Sequence, residues 1–332
     1  MERRNIDPLI EQIKKCVDRH YLGTPGAYTR YTVGDRADGK INEYGVADAA
    51  NILYTINDFR QAQADREHWI KILQGMQDPE TGMYHEPTHH TIHTTAHCMA
   101  ALELFDEKPL YPATYLSDCL TKEGLYNKLQ TEIDFEEHPW RDSHIGAGLF
   151  VALTMTDMVD AQWKDWYFDW FWEYCSPVHG FAFYGNEMKA DAFRYMGGGF
   201  HYLFNHEAEH RPTRYPEKII DWCIPMLRNH EKYGRAFMSV MGFLEVDLVY
   251  SVARAMRQTP HRFYEAKEAL EIFAEKYLDM WFSLDYENNW SFNDLHCLFG
   301  ATCCLAELQS ALPGKLISSK PLRLVLDRRP FI

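Results

Sequence analysis

The sequence predicts an all-α fold in which six outer and six inner helices alternate and close into a ring. Three observations predict it. Six stretches rich in small and apolar residues recur about every fifty residues, the mark of a repeated helical hairpin. They begin GVADAANILYTI, HTTAHCMAALELF, DSHIGAGLFVALTM, DAFRYMGGGFHYLF, GFLEVDLVYSVARAM and NDLHCLFGATCCLAEL. Each is preceded by a more polar segment in which Trp, Tyr, Lys and Glu interleave with apolar residues at helical spacing. Each also carries acidic or histidine side chains at or near its start: Asp48; His93 and His97; Asp142 and His144; Asp191 and His201; Glu245 and Asp247; Asp294 and His296. Equivalent positions around a ring converge, so these side chains are expected at one polar mouth.

In chain order, outer helices are expected at about 6–20, 64–76, 109–129, 161–175, 213–230 and 260–280, where charged residues separate apolar ones at helical intervals. The inner segments are apolar on nearly every side and loaded with Ala, Gly and Cys, as helices surrounded by other helices must be. Gly197-Gly198-Gly199 and Cys303-Cys304 are examples. Connections rich in Gly and aromatics, QDPETGMY, KEGLY, SPVHGFAFYG and DYENNWSF, carry the residues that turns require. Short strand candidates lie near 28–33 and 323–326, and the basic tail PLRLVLDRRPFI is expected to pack back over the ring.

With 332 residues and no Gly/Ser/Pro-rich linker, one domain over 1–332 is expected. The 34 basic and 48 acidic side chains leave a formal charge of −14, which opposes a nucleic-acid partner. The N-terminal segment is a charged amphipathic helix rather than a secretory signal, so a cytoplasmic location is expected. No apolar run reaches the roughly 20 residues of a membrane span. Eight cysteines without a CxxC pair are expected as free thiols, mostly buried. The sequence assigns no oligomeric state.

The segment Trp69-Ile-Lys-Ile-Leu-Gln-Gly-Met-Gln77-Asp-Pro-Glu-Thr-Gly82-Met-Tyr84, followed by a Thr-rich helix start, resembles the Gln…Gly-aromatic repeat of the prenyltransferase and squalene-cyclase superfamily. Weaker echoes occur at Gly124-Leu-Tyr126 and Gly180-Phe181. The wider resemblance is to the (α/α)6 toroids, which include glycoside hydrolases, polysaccharide lyases and sugar epimerases. It implies an architecture over most of the chain and no single activity. The Asp-x-Asp-Asp acid motif of the terpene cyclases and the diphosphate-binding DDxxD are absent. Asp294-Leu-His296-Cys297 departs from the Asp-x-Cys spacing of the zinc-dependent protein prenyltransferases.

Within the expected mouth, carboxylates are the first candidates for proton transfer. Glu245 and Asp247 lie in an apolar helix where an unpaired charge is expensive, so they must face the funnel or a cation such as Arg194, Arg235 or Arg254. A carboxyl in an apolar wall has its pKa raised and suits a general acid. Asp142 is either a helix N-cap or a catalytic group, and Asp294 repeats the pattern beside Trp290. Asp142, Glu245, Asp247 and Asp294 are therefore the catalytic candidates. Tyr44, Asp48, Tyr84, Glu86, His93, His97, Trp140, Arg141, His144, Tyr195, His201, Trp290 and His296 are the candidates for binding substrate. His85, His89, His93 and His97 are spaced by four, but Pro87 interrupts any continuous helix, so no metal and no cofactor is assigned.

Asp, Glu, His and Arg interleaved with aromatics suit a sugar, which needs many hydrogen bonds and a stacking face. The expected function is a carbohydrate-active enzyme, glycoside hydrolase-like or lyase-like, acting on a short oligosaccharide with a carboxylic acid as donor and a carboxylate or histidine as base. At the level of fold alone it resembles the unsaturated uronyl hydrolases. An isoprenoid enzyme of the cyclase or prenyltransferase type, and a non-catalytic toroid binding a ligand or protein, are the alternatives.

Overall fold

The protein is all-α. A computed structural model describes residues 1–233 and 242–331. Its helices are α1 (Asp7–His20), α2 (Glu43–Thr55), α3 (Arg60–Ala64), α4 (Arg66–Gly75), α5 (Thr91–Leu102), α6 (Lys122–Thr131) and α7 (Pro139–Met155). They continue with α8 (Ala161–Glu173), α9 (Ala192–Ala208), α10 (Pro216–Arg228), α11 (Leu244–Gln258), α12 (Phe263–Ser283) and α13 (Leu295–Ala311). Two-residue strands β1 (Arg4–Asn5) and β2 (Leu316–Ile317) pair in parallel. The strand candidate near 28–33 is reduced to isolated bridges from Tyr28 to Tyr21 and from Tyr31 to Asp294, and that near 323–326 is a loop running into a 3-10 turn at Val325–Asp327.

The six apolar stretches are α2, α5, α7, α9, α11 and α13, and their neighbours follow chain order. α2 packs on α5, α5 on α7, α7 on α9, α9 on α11, α11 on α13, and α13 again on α2. The amphipathic helices lie outside them: α1 against α2 and α13, α4 against α2 and α5, α10 against α9 and α11, α12 against α11 and α13. The triple glycine of α9 explains one close contact. A Cβ at Gly197 would lie 2.7 Å from the Trp140 ring, one at Gly198 2.7 Å from the Pro139 carbonyl oxygen, and one at Gly199 2.1 Å from Phe181. Glycine here removes the side chain that would hold α7 and α9 apart.

Helix starts follow local chemistry. Asn42 caps α2 by accepting from the amides of Tyr44 and Gly45, at 2.9 and 3.2 Å. Asp294 caps α13 through the His296 amide at 3.0 Å, and Asp191 caps α9 through Arg194 at 3.0 Å. α7 instead begins on Pro139, with fixed φ and no amide hydrogen to satisfy. Asp142 therefore lies inside the first turn and is not the N-cap.

The expected outer helix at 109–129 is broken. A 3-10 turn, Thr114–Leu120, precedes α6, and Thr121 caps α6 at the Gly124 amide, 3.1 Å away. The cause is Gln77. Its carbonyl oxygen accepts from the amides of Leu110 and Tyr111 at 2.8 and 3.0 Å, while its amide nitrogen donates to the Gly82 and Tyr111 carbonyls at 2.8 and 2.7 Å. Leu110 and Tyr111 are thus tied to the preceding hairpin and cannot start a helix. All eight cysteines are free, six of them buried, and no described helix is long and apolar enough to cross a membrane.

Gly82 shows what the Gln…Gly element does: its φ is +72°, and a Cβ there would stand 1.9 Å from the Pro112 oxygen. Both the left-handed backbone and the clash with main chain oppose any side chain. Gly82→Ala is expected to lower stability by about 2–4 kcal/mol, read as a fall in the urea unfolding midpoint. An unchanged midpoint would mean that the hairpin relaxes without resistance.

Candidate functional site

The first turns of α2, α5, α7 and α13, joined by the middle of α9, bring six histidines together. His93 and His97 are one turn apart on α5. His89 precedes that helix, yet its ring stacks on Tyr44 at 4.5 Å and on His93 at 5.0 Å. His296 meets His97 edge-on at 5.3 Å, His144 meets His93 at 5.1 Å, and His201 meets His144 at 6.2 Å. All but His97 line a cavity of about 410 Å³, together with Arg30, Trp140, Arg141, Phe243, Trp290, Asp294 and Cys297. That size suits a small ligand.

Burial sets the charge of these rings. It pulls His201 down to about 3 and, against the nearby Asp48 carboxylate, His97 down to about 4. Burial first, then repulsion from neighbouring imidazoles and arginines, holds His93, His144 and His296 well below the ordinary histidine range. They are therefore neutral near pH 7. Each then offers one N–H and one bare nitrogen, and the partners of the buried nitrogen decide which is which.

The deepest group is Asp48, fully buried on α2. His97 Nε2 lies 2.8 Å from Asp48 Oδ1, and His296 Nδ1 lies 3.2 Å from both Asp48 oxygens. Behind His97, the Arg329 guanidinium lies 3.2 Å from Nδ1. A guanidinium only donates, so His97 Nδ1 accepts and its proton sits on Nε2, pointing at Asp48. A carboxylate only accepts, so His296 carries its proton on Nδ1 and leaves Nε2 bare on a ring that lines the cavity. Tautomers assigned in this way follow from the hydrogen-bond partners.

The other rings are also held. Tyr44 Oη lies 2.5 Å from His93 Nδ1, and Ser143 Oγ lies 2.7 Å from His201 Nδ1. Ser143 can also donate to the Trp140 carbonyl at 3.1 Å. Arg30 grips Asp294 with two nitrogens, at 2.9 and 3.2 Å, and lies 4.7 Å over the Tyr44 ring. On its far side, beside a second recess, Glu86 accepts from Thr88. Burial would raise the Glu86 carboxyl, but His89, Thr88 and Arg30 together hold it down at about 2.

The structure brings His93, His144, His201, His296, Trp140, Arg141, Trp290 and Asp294 to the cavity, with Tyr44, Asp48 and His97 directly behind. It places others elsewhere. Asp142 does not line this cavity: Arg141 Nε and Nη2 hold its two oxygens at 2.6 and 2.9 Å, and it borders a separate surface recess. Asp247 is fully buried beside Trp140, and burial followed by the nearby Glu245 pushes its carboxyl far up against the lowering contact with Trp140. Glu245 is also buried and is not a lining residue. Tyr84 is packed in the core, and Tyr195 is buried with its hydroxyl on the Glu136 carbonyl at 2.9 Å. Of the suggested cations, Arg254 pairs with Glu307 at 2.7 Å and Arg194 with Asp191 at 3.6 Å, and Arg235 lies outside the described residues.

Sequence reasoning did not single out Arg30, Phe243, Cys297 or Arg329 as members of the site. Arg30 had one signal, a lone charge in AYTRYTV. Among the described residues, Asp48, His97 and His296 also bring three possible metal-donor atoms within 4.8 Å of one another. Zinc on His97 Nε2 would require a proton on Nδ1, where Arg329 already points a donor, so the arrangement favours hydrogen bonding.

No protein-family model, curated protein or solved structure matches this chain.

Two outcomes follow. Unfolded histidines take up protons near pH 6.5, whereas His97 and His201 stay neutral down to about 4 and 3, so stability is lost as pH falls from about 6.5 towards 4. Each such imidazole contributes about 1.4 kcal/mol per pH unit; the raised carboxyl of Asp247 works the other way but is outnumbered. Chemical denaturation at pH 7.5 and 5.0 measures this, and equal stabilities would mean that the rings are charged when folded. Elemental analysis of the purified protein is expected to show no stoichiometric metal that disappears in Asp48→Asn.

Proposed function

We propose that this chain is a carbohydrate-active enzyme built on an (α/α)6 toroid, and that it moves a proton at a carbon next to a carbonyl or carboxylate of a sugar, as lyases and epimerases do. The single observation that carries this reading is His296: a neutral imidazole whose Nδ1 is anchored on buried Asp48 and whose Nε2 is left bare on the cavity wall. A base oriented by a carboxylate is the arrangement that general-base chemistry needs. The cyclic order of neighbours among the six inner helices supports the toroid.

Within the carbohydrate reading, the lining favours a lyase or epimerase over a hydrolase. Glycoside hydrolysis uses two carboxyl groups about 5–10 Å apart, with a free one to attack or to activate water. Here Asp294 is the one carboxylate among the described lining residues, and Arg30 holds both of its oxygens. In the proposed reaction His296 Nε2 takes the C–H proton, and the electron pair moves into the adjoining carbonyl or carboxylate to give an enolate. Arg30 and Arg141 supply positive charge beside that oxygen. The imidazolium formed on His296 then gives up that proton, to a leaving oxygen on the next carbon in a lyase step, or, relayed through neutral His144 or His201, which takes a proton on one nitrogen as it releases one from the other, to the opposite face of the carbon in an epimerase step. The burial that keeps His296 neutral makes its imidazolium a strong acid, so the proton is readily passed on. Trp140, Phe243 and Trp290 offer stacking faces for the ring.

Incubation in D2O with a panel of aldoses, ketoses, uronates and uronate-containing oligosaccharides tests the reading. Deuterium is expected at the carbon next to the carbonyl of one class, by NMR or mass spectrometry. His296→Asn keeps an N–H for Asp48 but removes the base, and is expected to slow exchange by about 10²–10⁴ with the fold intact. Exchange that persists in His296→Asn would reject the assigned base. Binding of prenyl alcohols or diphosphates, with no sugar exchanged, would replace this reading with the isoprenoid one that the aromatic wall also suits.

A further inference from the structure

The segment after β2 enters the molecule from the end opposite the cavity mouth. The Arg323 amide bonds the Thr55 carbonyl at the end of α2, at 2.8 Å, and the Arg328 guanidinium bonds the Glu103 carbonyl just beyond α5. From there the chain runs inward. Arg329 is 1% exposed and Phe331 is fully buried, its ring 5.1 Å from His93 and 5.4 Å from Phe204. Phe331 thus lies under the histidine cavity, and Arg329 lies beside its deepest layer.

Arg329 is surrounded by acceptors. Nε donates to the Phe331 carbonyl at 2.7 Å, Nη1 to Asn51 Oδ1 at 2.9 Å, and Nη2 both to the Phe331 carbonyl and to His97 Nδ1. Among the described residues it forms no ion pair. Its charge is nevertheless answered through one imidazole, because the row Arg329, His97, Asp48, His296 alternates a cation, a neutral bridge, an anion and a neutral ring. Isolated buried charges are expensive, and a hydrogen-bonded chain that joins opposite charges reduces that cost. Removing either end would leave the other unanswered.

We infer that Arg329 is a positioning residue for the Asp48–His296 pair: by donating to His97 Nδ1 it keeps that nitrogen bare, so that His97 stays neutral with its single proton towards Asp48, and Asp48 keeps the charge that fixes the proton of His296 on Nδ1. It acts through His97 and touches no substrate. The catalytic consequence rests on the reading of His296 as a base, but the proton arrangement does not.

Long-range ¹H–¹⁵N correlation spectra of histidine-labelled full chain separate the two. In the wild type His97 is expected to carry its proton on Nε2 and His296 on Nδ1. In Arg329→Met the freed Nδ1 can take a proton, so the His97 signal should move towards that of the doubly protonated ring, and the exchange reaction should fall tenfold or more in kcat with KM little changed. Added methylguanidinium should restore part of both, as should Arg329→Lys, which keeps a charge without the fork. A His97 proton on Nδ1 in the wild type, or a metal bound there, would overturn the inference even if Arg329→Met failed to fold. So would an unaltered His97 signal, with Nδ1 still bare, in a folded Arg329→Met. An altered His97 signal with no sugar exchanged in any variant would leave the positioning role standing and remove the proposed function.

Discussion

The buried carboxylate of Asp48 is the constraint on which the candidate site depends. It accepts hydrogen bonds from His97 and His296 and is balanced by Arg329 through the His97 ring. Every neutral imidazole has two ways to carry its proton, and six such rings in one cluster would have many near-equal arrangements without an anchor. A carboxylate at one end and a guanidinium at the other reduce the deepest layer to a single arrangement. The outer rings are then tuned locally, His93 by Tyr44 and His201 by Ser143. This is how a fixed polar network gives chemical direction to side chains that are symmetric in composition.

The packing makes that network possible. The inner helices carry glycine and alanine where they meet, so α7 and α9 approach closely enough for His144 and His201 to face one cavity. The aromatic bulk lies between the layers instead, where Trp163, Trp170 and Trp281 are buried.

Much of this was legible in the sequence, and the illegible parts have physical causes. Each apolar stretch with small residues is a helix, as a buried run of twelve residues or more between turn-forming segments is too long for an ordinary strand. The histidines were placed at the mouth by their equivalent positions near helix starts. The fates of the carboxylates were not legible. Asp142 is engaged by its own neighbour Arg141, a matter of rotamer rather than pattern. Asp247 lies beside Trp140, although one residue's rotation about the α11 axis would change its surroundings. Arg30 and Arg329 come from outside the repeats, so no periodicity could bring them in. The break before α6 was hidden for the same reason: Gln77 acts on Leu110 and Tyr111 from a different hairpin.

The route of the tail has a consequence in time. Arg329 and Phe331 follow all thirteen α-helices described, yet they are buried against side chains of the second and fifth, Asn51 and His93. A growing chain can pair its hairpins as they emerge, one after another. Until Arg329 has emerged, His97 Nδ1 lacks the donor that lies against it in the folded chain. The hydrogen-bonded row from Asp48 to Arg329 is therefore completed only after all of these helices have been made.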